Sequence, residues 1–107
     1  MKINKRHKYN PLRMSPANFI KWLHKSEFSY YAIGKILQLP KRTSPKYWVD
    51  KNIKSPNIKY CWIAYCKFNV IFTCFDDLDD FLEVVGIEME KDKDLERLKN
   101  EAPYTPN

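Results

Sequence analysis

MSPANFIKWLHKSEFSYYAIGKILQLPKRTSPKYWVDKNIKSP, residues 14–56, carries the dipeptide Ser-Pro at three places: Ser15-Pro16, Ser44-Pro45 and Ser55-Pro56. A serine hydroxyl accepts from the orphan amides of a helix's first turn, and proline suits the first helical position, where its missing N–H costs nothing. Each pair therefore predicts a helix start. After the first pair, Phe19, Ile20 and Leu23 share a face with Trp22 beside them, and the helix should end near His24 or Lys25. A second helix, capped by Ser26 or Ser29, runs through YYAIGKILQL with Ala32, Ile33, Ile36 and Leu37 inward and Lys35 and Gln38 outward, until Pro40 stops it. A short third helix, KYWVDKN, anchors through Tyr47 or Trp48 and ends at Asn52.

From Ser55-Pro56 a fourth helix follows, NIKYCWIAYCKF, in which Ile58, Cys61, Trp62 and Tyr65 recur at i, i+3, i+4 and i+7. The run NVIFTCF, residues 69–75, is β-branched and aromatic. It stays open between a short strand or hairpin and a buried continuation of the helix. In DDLDDFLEVVG, Asp76 and Asp77 cap a further helix, Leu78, Phe81, Leu82 and Val85 form its stripe, and Gly86 is its expected stop. The sequence thus predicts a mainly α fold of four to five short helices, organised as a flexible basic arm (1–14), one globular domain (15–90) and a charged C-terminal helix and tail (91–107).

At 107 residues, 44% hydrophobic and 15% aromatic, the chain can close one modest core. No apolar run approaches the roughly 18 residues of a membrane span. The opening MKINKRHKYN lacks the apolar centre of a signal peptide, so a cytoplasmic protein is expected. Cys61, Cys66 and Cys74 form no CxxC pair and read as buried reduced thiols, not as a disulfide framework or, with His7 or His24, a metal site. The acids of DDLDD are explained by capping, the histidines have no nucleophile partner, and two glycines make no phosphate loop. Neither an enzyme nor a cofactor is expected.

Charge is divided unevenly. Residues 1–59 hold 14 Lys and Arg against two acids, Glu27 and Asp50, while residues 60–107 hold five basic residues against 11 acidic ones. A net +12 beside a net −6 is the asymmetry of a chain whose first half meets a polyanion, of which a phosphate backbone is the commonest.

The second and third helices, a polar turn between them and cations clustered at the turn, have the form of a helix-turn-helix. Residues 14–56 resemble the helix-turn-helix domain of the Cro and phage-repressor (XRE-like) family. Ser15, Pro16 and Phe19 match that family's opening helix, Ile33, Leu37 and Leu39 its second helix, Lys41, Arg42 and Thr43 its turn, Trp48 its recognition-helix tryptophan and Pro56 the proline before its fourth helix. Gly34 fits the family's small residue. Gln38 stands where the family has glycine, and so must accept a left-handed or altered turn. Ser44-Pro45 replaces the buried valine and its neighbour. A recognition helix beginning at Pro40 would hold Pro45 inside it at a cost of roughly 3 kcal/mol, whereas one beginning at Ser44 is shorter.

The resemblance implies that Lys41, Arg42, Thr43 and Lys46 face double-stranded DNA, with Lys51 and Lys54 near phosphates. The arm, with Lys5 and Arg6, could add phosphate or minor-groove contacts. The expected function is a small sequence-specific transcriptional regulator, of the kind phages and mobile elements encode, acting as a homodimer. The alternative is a phage-type inhibitor that binds a host nucleic-acid or defence protein through the same scaffold, an option raised by the altered recognition helix and the many aromatics. Exposure of Tyr30, Tyr31 and Tyr47 discriminates: buried tyrosines favour DNA and an exposed patch favours a protein partner.

Overall fold

In the computed structural model, which describes residues 11–91, serine caps set the first three helices. Helix α1 (Pro16–Lys25) opens on Ser15, whose Oγ accepts from the Asn18 N–H at 3.1 Å. Helix α2 (Tyr30–Leu37) opens on Ser29, whose Oγ accepts from the Ala32 N–H at 3.0 Å. Helix α3 (Pro45–Asp50) opens on Ser44, whose Oγ accepts from the Lys46 N–H at 3.2 Å. Prolines 16 and 45 therefore stand at helix starts, where no backbone bond is lost.

The third Ser-Pro pair is not a cap. Helix α4 (Ile58–Phe68) opens two residues later on Asn57, whose Oδ1 accepts from the Lys59 N–H at 2.9 Å. Asparagine caps as well as serine.

Residues 70–72 form a strand, but not a hairpin. Strand β1 (Leu12–Met14) pairs in parallel with β2 (Val70–Phe72), in the register Leu12↔Val70, Arg13↔Ile71, Met14↔Phe72. A parallel partner must be reached by a crossover, here the whole run from α1 to α4. The end of the expected flexible arm is thus structural: Leu12 N–H donates to the Asn69 carbonyl at 2.9 Å, and Arg13 Nη2 donates to the Phe75 carbonyl at 2.8 Å. The rest of that arm, Lys5 and Arg6 included, lies outside the described residues, as does the charged segment beyond Lys91.

Helix α5 (Leu78–Lys91) begins with reciprocal caps: Asp77 Oδ1 accepts from the Asp80 N–H at 2.8 Å, and Asp80 Oδ2 accepts from the Asp76 N–H at 3.2 Å. The helix runs through Gly86 and does not stop there. A glycine ends a helix by adopting positive φ, and Gly86 does not adopt it. A Cβ at this position would meet nothing within 4 Å. Gly86→Ala is therefore expected to stabilise the fold by about 0.8–1 kcal/mol, seen as a rise in Tm of about 4–8 °C by calorimetry.

The core is aromatic and built in two parts joined by α4, which is buried on most sides at Cys61, Trp62, Ile63 and Ala64. In one part, Phe19 packs edge-on against Phe68 and Phe72 at centroid distances of 5.6 and 5.3 Å, and Phe72 also meets Trp48 at 6.1 Å. In the other, Phe81 meets Phe75, Tyr65 and Trp62 at 4.9, 5.5 and 6.2 Å. Trp48 is therefore the anchor of α3, while Tyr47 beside it is half exposed. The cysteines only partly meet expectation: Cys61 is buried, Cys66 half-buried and Cys74 exposed. No described helix is long and apolar enough to cross a membrane.

Candidate nucleic-acid interface

Helices α2 and α3 approach one another where Pro45 packs on Gly34. A Cβ added to Gly34 would lie 3.5 Å from both Cδ and Cγ of Pro45, in ordinary contact, so alanine would fit here without moving the two helices apart. Gln38 takes the left-handed conformation (φ 63°, ψ 38°) at the end of α2, and its backbone amide donates to the Lys35 carbonyl. Seven residues, Gln38 to Ser44, then lead to α3. Within them the Thr43 N–H donates to the Pro40 carbonyl at 2.9 Å, closing a tight turn that holds Lys41 and Arg42 at its tip. The connection is longer than the usual three to four residues of a helix-turn-helix. Its length follows from Pro45: the helix opens at the proline and is left with six residues.

A groove of about 830 Å³ lies between α2 and this turn. Its floor includes Gly34, Leu39 and Pro45, and its rim carries Lys35, Lys41 and Thr43. Tyr31, 75% exposed, stands at the edge with Lys35 Nζ 5.5 Å from its ring centroid, a cation–π contact. Tyr30 is held differently, stacked on His24 at 4.1 Å with the rings 9° from parallel. His24 is itself fixed by a 3.0 Å hydrogen bond between Nδ1 and the Phe28 carbonyl.

Of the residues expected at the interface, Lys41 and Thr43 come together in the groove and Arg42 is exposed beside them. Lys46 projects from α3 but forms an exposed ion pair with Asp50, Nζ to Oδ2 3.1 Å. Lys51 follows the far end of α3 and Lys54 lies in the loop beyond it; both are exposed and neither lines the groove. The sequence reading left Lys35, Tyr31 and Gln38 out of the site. Their spacing, i, i+4 and i+7 on the polar side of α2, was the available signal. Among the described residues no three His, Cys, Asp or Glu side chains converge on a metal site.

No protein-family model matches the chain, and no curated protein or solved structure matches it either.

Proposed function

We propose that the protein is a small double-stranded DNA-binding regulator. Helix α3 enters the major groove with Lys46 and Tyr47 foremost, while Lys35, Lys41 and Arg42 flank it on phosphates. The observation that carries this reading is the exposed cation cluster on the α2–turn–α3 unit, in a stretch from residue 11 to 59 whose acids are Glu27 and Asp50 alone. A six-residue helix is about 9 Å long and reaches few base pairs. Phosphate contacts then supply most of the affinity, and a homodimer on two half-sites would supply the selectivity. The test is a salt titration of binding to duplex DNA: log K must fall linearly with log salt with a slope of several units, and the absence of any retardation at low salt would end the proposal.

Asp50 gives a second handle on the same surface. Its carboxylate neutralises Lys46 and repels phosphate, while the exposed pair adds little to stability. Asp50→Asn is expected to tighten DNA binding at low salt by about fivefold, which is ~1 kcal/mol for one unit charge a few ångströms from a phosphate in water. Its melting temperature should stay within about 2 °C of the parent.

A protein partner is the second reading, favoured by the exposure of Tyr31 (75%) and Tyr47 (50%) beside a groove floored by apolar side chains. A partner retained on the immobilised protein after nuclease treatment, and lost with Tyr31→Ala and Tyr47→Ala together, would establish it. Loss of every partner on nuclease treatment would dismiss it.

A further inference from the structure

On the side of the molecule served by the loop after β2, Cys74 is exposed and lines a cleft of about 350 Å³ with Ser55, Pro56, Asn57, Phe75 and Glu88. Cys61, in the first turn of α4, lies buried directly behind it, its Sγ 3.6 Å from the Pro56 carbonyl oxygen. Both cysteines flank Pro56, which lines the cleft and whose carbonyl oxygen meets Cys61, and each sulfur shifts the ionisation of the other. One sulfur is open to solvent and the other, beside it, is shielded. That is the arrangement of an attacking thiol backed by a resolving thiol.

We propose that Cys74 and Cys61 are a redox pair: hydrogen peroxide oxidises Cys74, and Cys61 converts the product to an intramolecular disulfide. In the first step the Cys74 thiolate attacks one peroxide oxygen. The O–O bond breaks, hydroxide leaves and takes a proton to become water, and Cys74 becomes a sulfenic acid. In the second step Cys61 loses its proton as its sulfur attacks the Cys74 sulfur. The S–O bond breaks, and the departing hydroxide takes up that proton as a second water. Two thiols and one peroxide thus give one disulfide and two waters, the cysteines losing two electrons to the peroxide.

The surroundings divide these roles between the sulfurs. The hydrogen bond from Cys61 favours the Cys74 thiolate and outweighs its partial burial. With help from the Ser55 hydroxyl, the backbone and the Arg13 guanidinium on β1, it brings the Cys74 pKa down to about 7. The same bond, with burial, drives the Cys61 thiol well above the ordinary range and keeps it protonated until the second step. Glu88 of α5 is the acidic residue lining the same cleft. Cys66, half-buried on the same helix as Cys61, is the internal reference.

The experiment needs the intact reduced protein and hydrogen peroxide, quenched with a maleimide and mapped by mass spectrometry. The expected product is monomeric, lighter by two hydrogens, with Cys61 and Cys74 protected from the maleimide and Cys66 labelled. Without peroxide, iodoacetamide should label Cys74 with a half-maximal rate near pH 7, on the order of tenfold faster than a free cysteine of ordinary pKa at that pH. Cys61→Ser should leave Cys74 as a sulfenic acid trapped by dimedone. Because that buried position could also disturb folding, the exposed Cys74→Ser provides the decisive variant: in it Cys61 must remain reduced through the same peroxide treatment. Oxidation of Cys61 in Cys74→Ser, a disulfide that includes Cys66 or a second chain, or Cys74 labelling no faster than that of a free cysteine of ordinary pKa would each overturn the proposal.

Discussion

Phe72→Ala is expected to cost about 3–5 kcal/mol, the usual range for removing a fully buried phenyl ring from a core. Phe72 is 1% exposed and its ring touches Phe19 of α1 and Trp48 of α3, so it joins strand β2 to two helices at once. Domains of this size hold a net stability of roughly 5–15 kcal/mol, so the loss is a large share of the whole. In urea the unfolding midpoint should fall by roughly a fifth or more with little change in slope, because the native surface exposed on unfolding is nearly the same. Tyr47→Ala is the control from the neighbouring position to Trp48. Its ring is half exposed, and removing it should move stability by no more than about 0.5 kcal/mol. If Phe72→Ala behaved like Tyr47→Ala, the aromatic core described above would be wrong.

The triple substitution Lys35→Ala, Lys41→Ala, Arg42→Ala carries the largest expected effect on function. If each cation sits on a phosphate, the slope of log K against log salt should shrink by about 2.7, at roughly 0.9 for each contact. At low salt the loss of affinity should be about a hundredfold, three contacts at ~1 kcal/mol each. All three side chains are exposed, so the melting curve should hardly move. Lys67→Ala, exposed on α4, should leave both slope and affinity as they were. An unchanged slope in the triple variant would take DNA off this surface and leave the tyrosine-rimmed groove to a protein partner.

Much of the helical framework was legible because the signals are local. Ser15, Ser29, Ser44 and Asp77 accept hydrogen bonds from amides two or three residues ahead, a relation that spacing alone reveals. Two boundaries were misread where the local signals are ambiguous. Asn57 and Ser55 are equally good caps two residues apart, and the helix opens on Asn57. Gly86 can stop a helix or sit within one, and here no left-handed residue was needed because the helix had no turn to make at that point. The candidate interface was legible in its cations but not in its shape. Lys41, Arg42 and Thr43 were placed by their position in the turn, whereas the partnership of Lys46 with Asp50 depends on side chains meeting one helical turn apart on the exposed side of α3.

By itself the sequence determined the Ser15, Ser29 and Ser44 caps, most of the helix stripes and the division of charge, all of which depend on residues within about four positions of each other or on simple counting. The tertiary structure alone decided that residues 70–72 are a strand. Val70, Ile71 and Phe72 are buried on both faces, so no alternation of polar and apolar residues marks them, and their hydrogen-bonding partner lies 58 positions earlier at Leu12–Met14. It likewise brought Cys74 against Cys61 and Ser55. Contacts of this kind arise when the chain closes on itself, and no window of sequence contains both sides of them.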